Sequence, residues 1–100
     1  MSDNLNSRTF SEHLHTSFRI PMPSADPAQL ELVEVVESNL SPALEQFSAF
    51  FLGPPTLGQG VRSLEHDQMG SFDLFLVPVA AEGDRVRYEA AFVRFREKRG

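Results

Sequence analysis

Apolar and polar residues alternate along most of this chain, and clusters of Gly, Pro and Asp break the alternation roughly every ten residues. Residues 16–20 alternate as a strand, with Phe18 and Ile20 inward and Arg19 outward, and Pro21, Pro23 and Pro27 then punctuate a loop. Residues 29–37 start with Leu30 and Leu32 against Glu31, then slip at Val33. A β-bulge re-phases them so that Val33 and Val35 or Val36 face inward. The rival is an amphipathic helix carrying Leu32, Val35 and Val36 on one side; the valine density of residues 33–36 favours the strand. Residues 44–52 place Phe47, Ala49 and Phe51 on one face, Gln46, Ser48 and Phe50 on the other, and end at Gly53-Pro54-Pro55.

A Gly-rich loop follows over residues 56–60, then a short strand over 61–65 and a tight turn over 66–70. The long strand 71–79 has Phe72, Leu74 and Leu76 on one face and Phe75, Val77 and Val79 on the other, so its second half reads as buried on both sides. A hairpin loop over 81–84 uses Gly83 for positive φ. The last strand, 85–95, alternates with Val86, Tyr88, Ala90 and Phe92 inward and Arg87 and Glu89 outward. Near the N-terminus, Thr9 and Glu12 fit a capping box, predicting one helical turn over 10–14 that tucks Phe10 and Leu14 into the core. The expected fold is all-β: a small antiparallel barrel or sandwich of about six strands with a short N-terminal helical turn, its last three strands a meander. Pro78 belongs at a bulge or an unpaired edge. Residues 1–8 read as a disordered N-terminus, 9–96 as a single β domain and 97–100 as a basic C-terminal tail.

Composition sharpens this picture. A chain of 100 residues is one domain, and nine phenylalanines supply its core. The absence of cysteine excludes disulfides, thiol catalysis and thiolate metal sites. The net charge of −5 comes mainly from the first half, while Arg94, Arg96, Lys98 and Arg99 make the end basic. Four cations at a strand end are a thin basis for neutralising phosphates, so no nucleic-acid partner is expected. The longest apolar run, residues 74–81, is far short of a bilayer span and is interrupted by Pro78, so no membrane partner is expected either. The polar N-terminus lacks a signal-peptide core, which points to the cytoplasm or to export without a classical signal peptide.

Few constellations suggest chemistry. His13 and His15 could share a metal if His66 or Asp67 joined them, yet on a helical turn the two rings diverge. His66-Asp67 with Ser63 or Ser71 sketches a triad without a nucleophile elbow. Glu31, Glu34 and Glu37 are most simply the solvent side of a Val-rich strand. Gly53, Gly58 and Gly60 are followed by neither the Lys-Ser/Thr pair nor the helix of a phosphate cradle. With no Trp and Tyr88 the sole tyrosine, stacking platforms for bases or sugars are not expected. The expectation is therefore no catalytic residue, no metal and no cofactor. Two groups of apolar residues remain. Phe50, Phe75, Val77, Pro78 and Val79 form a candidate interaction edge, and Phe47, Phe51, Phe72, Leu74 and Phe92 could line an interior that holds an apolar ligand.

The strings Leu64-Glu65-His66, Gly70, Leu74-Phe75-Leu76-Val77-Pro78-Val79 and Tyr88-Glu89-Ala90-Ala91-Phe92 resemble a family of small bacterial proteins of unknown function. So do Phe51-Leu52-Gly53-Pro54-Pro55 with Gln59-Gly60, Phe10-Ser11, Phe18-Arg19-Ile20 and the stretch from Leu30 to Val35; the likeness covers roughly residues 9–92. The chain departs from the family pattern at Asp67, where Pro is expected, and in running on through Val93-Arg94-Phe95-Arg96. Members often lie near genes for phage-tail-collar-like proteins. The resemblance implies no catalytic residues and an accessory role in assembling a tail-like or extracellular fibre, with a collar-like or fibre protein, or a second copy, as partner. The leading expectation is a non-enzymatic interaction or assembly domain; the alternative is a small barrel binding an apolar molecule.

Overall fold

The computed structural model describes residues 5–23, 25–38 and 42–95. One short helix, α1 (Ser7–Ser11), precedes six strands: β1 (Ser17–Met22), β2 (Ala25–Ser38), β3 (Leu44–Gly53), β4 (Gly60–His66), β5 (Gly70–Glu82) and β6 (Arg85–Phe95). All neighbours are antiparallel and close a barrel in the order β1-β2-β3-β6-β5-β4. The last three strands form the expected meander. Closure suits a sequence with so many alternating strands, because it removes most exposed edges.

Inward positions match the alternation almost throughout. Phe18, Leu30, Leu32, Phe51, Leu64, Leu76, Tyr88 and Ala90 are all buried. Phe10 enters this core from α1, its ring centroid 5.5–6.5 Å from those of Phe18, Phe47, Phe51, Phe72 and Phe92. The helix starts earlier than the capping pattern at Thr9 predicts. Asn6 is the cap, its Oδ1 accepting the Thr9 N–H at 2.8 Å, and Ser7 is already buried. Thr9 thus lies inside the helix, and Leu14 beyond it packs against the core. Residues 1–4 and the basic tail 97–100 lie outside the described residues.

Each slip in the alternation corresponds to a bulge. The β2–β3 register shifts between Leu32 and Glu34, which leaves Val33 as the extra residue; Val35 then packs on the core and Val36 faces outward. The β5–β6 register shifts between Pro78 and Ala80, so Pro78 lies beside the bulge at Val79. The β1–β2 register shifts between Ile20 and Met22, setting Asp26 and Pro27 opposite Pro21. Two prolines assigned to a loop by the sequence therefore sit in strands, at a bulge in the β1–β2 ladder.

One inference about burial fails. The second face of β5 is not covered: Phe75 is 50% exposed and Val79 46%. The barrel wall is a single layer, and nothing in the described chain packs outside it at β5.

Candidate functional site

The barrel has two unlike ends. At the helix end, β1 meets β4 through the Arg19–Glu65 pair and a polar cluster beneath it. His66 Nδ1 accepts the backbone N–H groups of Gln68 and Met69, both at 3.1 Å. Its Nε2 therefore carries the proton and donates to Thr16 Oγ1 at 2.9 Å, while that hydroxyl donates to the His13 carbonyl at 2.6 Å. The His66 ring is buried against Phe18 (centroids 4.3 Å apart) and His13 (4.8 Å). Burial pushes its pKa below the usual 6.5, the nearby His13 and Arg19 push the same way, and Asp67 opposes them.

This arrangement brings His13 and His66 together but builds no metal centre. His13 Nδ1 faces the Thr9 carbonyl at 2.9 Å and Nε2 faces the Gln68 side-chain oxygen at 3.0 Å, so both rings spend their nitrogens on protein groups. His15 points away and pairs with Glu31 at 3.6 Å. Among the described residues no cluster of three potential ligands occurs. Nor is a triad assembled. Ser63 donates to Asp73 at 2.7 Å on the outer face, Ser71 pairs with Glu65 in the ladder, and Asp67 pairs with Arg19 at 3.1 Å. The three glutamates are likewise separated. Glu31 approaches Arg85 at 3.8 Å, Glu34 pairs with Arg87 at 2.9 Å, and Glu37 accepts a hydrogen bond from Ser7.

At the other end the same two strands part. Ile20, Pro21 and Met22 form one bank of a cleft and Val61, Arg62 and Ser63 the other, with Thr56 and Leu57 between them; its volume is about 590 Å³. The loop from Pro54 to Gln59 is held down at three points. The Tyr88 hydroxyl donates to the Pro54 carbonyl, the Arg62 guanidinium donates to the Leu57 carbonyl, and the Leu57 side chain is buried in the core. Gly53, which leads into the loop, is tightly packed: a Cβ there would stand 3.1 Å from Leu30 Cγ. The cleft is mainly apolar. Its one guanidinium, Arg62, meets carbonyl oxygens and, among the described residues, no carboxylate.

The apolar surface continues from the cleft. Val61 is 63% exposed and pairs across the ladder with outward-facing Phe75, and Val77 follows on the same face. The candidate edge of Phe50, Phe75, Val77, Pro78 and Val79 is thus brought together only in part. Glu89 stands between Phe50 and Val77, and the Arg87 guanidinium covers the Phe50 ring at 5.5 Å. Arg87 is itself held by Glu82 and Glu34, whose hydrogen bonds raise its already high pKa. The candidate ligand residues Phe47, Phe51, Phe72, Leu74 and Phe92 do lie together inside, but Phe10 stands among the four rings and fills the space they would enclose. Sequence reasoning missed the cleft residues Ile20, Met22, Leu57 and Val61. The available signal was Pro21 in an apolar strand facing a Gly-Pro loop.

A family model matches residues 5–92, from Leu5, which packs on the core, through α1 and the strands to Phe92 in β6. The chain belongs to DUF6916, a family of domains of unknown function. No curated protein and no solved structure matches it. The matched span of this DUF6916 domain includes both barrel ends and every residue of the cleft.

Proposed function

We propose that this domain is a non-enzymatic interaction or assembly module that offers the cleft and the adjoining face of β4 and β5 to a protein partner, as an accessory of a tail-like or extracellular fibre protein. The observation that carries the reading is the contrast between a barrel interior filled by the Phe10 ring and an uncovered apolar surface outside it, with Val61 63% and Phe75 50% exposed. Monomeric proteins seldom leave contiguous apolar surface uncovered without a use for it. The collar-like or fibre partner comes from the resemblance described above.

Capture from the source cell with tagged protein, read by mass spectrometry beside a Phe75→Ser control, tests this. Recovery of a fibre or collar-like protein by the native domain and its loss with Phe75→Ser supports the reading. Equal recovery by both overturns the role of this face. A second reading, binding of an apolar small molecule, is favoured by the cleft volume of about 590 Å³, which lies in the usual range for ligand sites. Native mass spectrometry of the purified protein separates the two.

A further inference from the structure

We infer that the cleft is a strand acceptor: an extended segment of a partner protein enters between β1 and β4 and pairs with the free edge of β4. This rests on the interaction reading above and names the kind of partner. β4 pairs with β5 along its whole length, from Gly60↔Leu76 to His66↔Gly70, but on its other side it meets β1 only at Glu65. Beyond that pair residues 61–64 share no ladder register with β1, and the Val61 carbonyl accepts from the Arg62 guanidinium at 3.4 Å. In an antiparallel strand alternate residues turn both N–H and C=O toward the same neighbour, so two of these four residues turn theirs toward β1 and the cleft. An apolar groove bordered by such an edge is a template for a further strand.

The two banks are not equivalent. Pro21 deprives β1 of one N–H, which makes it the poorer template and leaves β4 as the pairing edge. Four residues of strand span roughly 13 Å. A segment of that length would set alternate apolar side chains toward Ile20, Met22 and Leu57, the intervening ones pointing to solvent beside Val61. Arg62, which lines the cleft without a carboxylate partner, adds a preference for an acidic residue at one end of the segment. The six strands of this chain all belong to the barrel, so a second copy has no spare extended segment among the described residues to insert. The occupant is a short alternating apolar segment, with an acidic flank, of a different protein.

The test pans a displayed library of random 12-residue peptides against the full chain and titrates synthetic versions of the enriched sequences by calorimetry. Enriched peptides are expected to alternate apolar and polar residues over at least four positions. Their affinity should fall about tenfold or more with Met22→Asp or Val61→Asp in the protein, with backbone N-methylation in the peptide, and less steeply with Glu→Gln at the acidic flank. Amide exchange at residues 61–64 should slow on binding. Met22 and Val61 are exposed, so both variants should keep the native melting temperature, which is checked alongside. No enrichment, enriched peptides without alternation, or affinities indifferent to both variants would overturn the strand-acceptor assignment. The same holds for concentration-dependent self-association abolished by Val61→Asp and unaffected by peptide, because it would give the edge to a second copy. If Phe75→Ser abolishes capture of a cellular partner while Met22→Asp does not, the assembly reading stands and the cleft assignment falls.

Discussion

The helix end and the mouth of this barrel are bounded by the same two strands, β1 and β4, yet one is shut and the other open. At the helix end Phe18, His66, Thr16 and His13 interlock, and the strands bridge at Arg19 and Glu65. At the mouth Pro21 withholds a donor and Gly60 (φ 153) enters β4 in a conformation that side chains rarely adopt; there the strands separate. A ring of strands closes where backbone donors and acceptors on both strands can pair and the side chains between them pack. Where they cannot, a loop anchored by Tyr88 and Arg62 covers the core.

The largest effect should come from emptying the helix end. Phe10→Ala removes the ring that five other phenylalanines surround and should cost about 3–5 kcal/mol in urea unfolding, a large part of the stability of a domain this size. A loss below about 1 kcal/mol would mean that Phe10 does not fill the barrel. At the mouth, Tyr88→Phe takes the donor from the Pro54 carbonyl and should cost about 1–3 kcal/mol. It should also speed amide exchange in residues 56–59 while sparing residues 13–18. Asn6→Ala, which strips the cap of α1, should cost about 1 kcal/mol and loosen only the helix end. Val61→Ser at the cleft should change stability by no more than about 0.5 kcal/mol, which separates binding from folding at the mouth.

The gentlest perturbation is a proton. His66 has a folded-state pKa below its ordinary 6.5, so the native state holds its neutral form more strongly than the unfolded chain does. The stability this contributes is complete above about pH 6.5 and is lost as pH falls from there through the lower folded value. Protonating Nδ1 would set a third N–H against those of Gln68 and Met69, close to His13 and Arg19, with Asp67 the one compensating charge in that group. Unfolding free energies at pH 7 and pH 5.5 should therefore differ more for the native protein than for His66→Gln. An equal difference would remove His66 from the account.

Alternation carried the strands, most of their inward faces and the bulge in β2, because period-two patterning is a local property of a half-buried wall. Val33, expected inward, is nevertheless the extra residue there, and only Val35 packs on the core. The bulge at Val79 is signalled instead by Pro78, which lacks an N–H. Alternation misjudged β5. Phe75 and Val79 look like buried residues in sequence, and only the single-layered wall shows that nothing covers them. It also placed the cap at Thr9, since a capping box and a helix interior can share the same residues; the Asn6 side chain decides between them.

By itself the amino-acid order determined an all-β domain with a phenylalanine-rich core, its turns, and the absence of thiol chemistry, since each follows from residue type and spacing. Only the tertiary structure decided which ring fills the barrel, that His13 and His66 meet across 53 residues of chain, and that β1 and β4 part at Pro21. Those outcomes depend on which distant strands become neighbours. Strand closure is a global balance of ladder bonds and packing, and no local pattern records it.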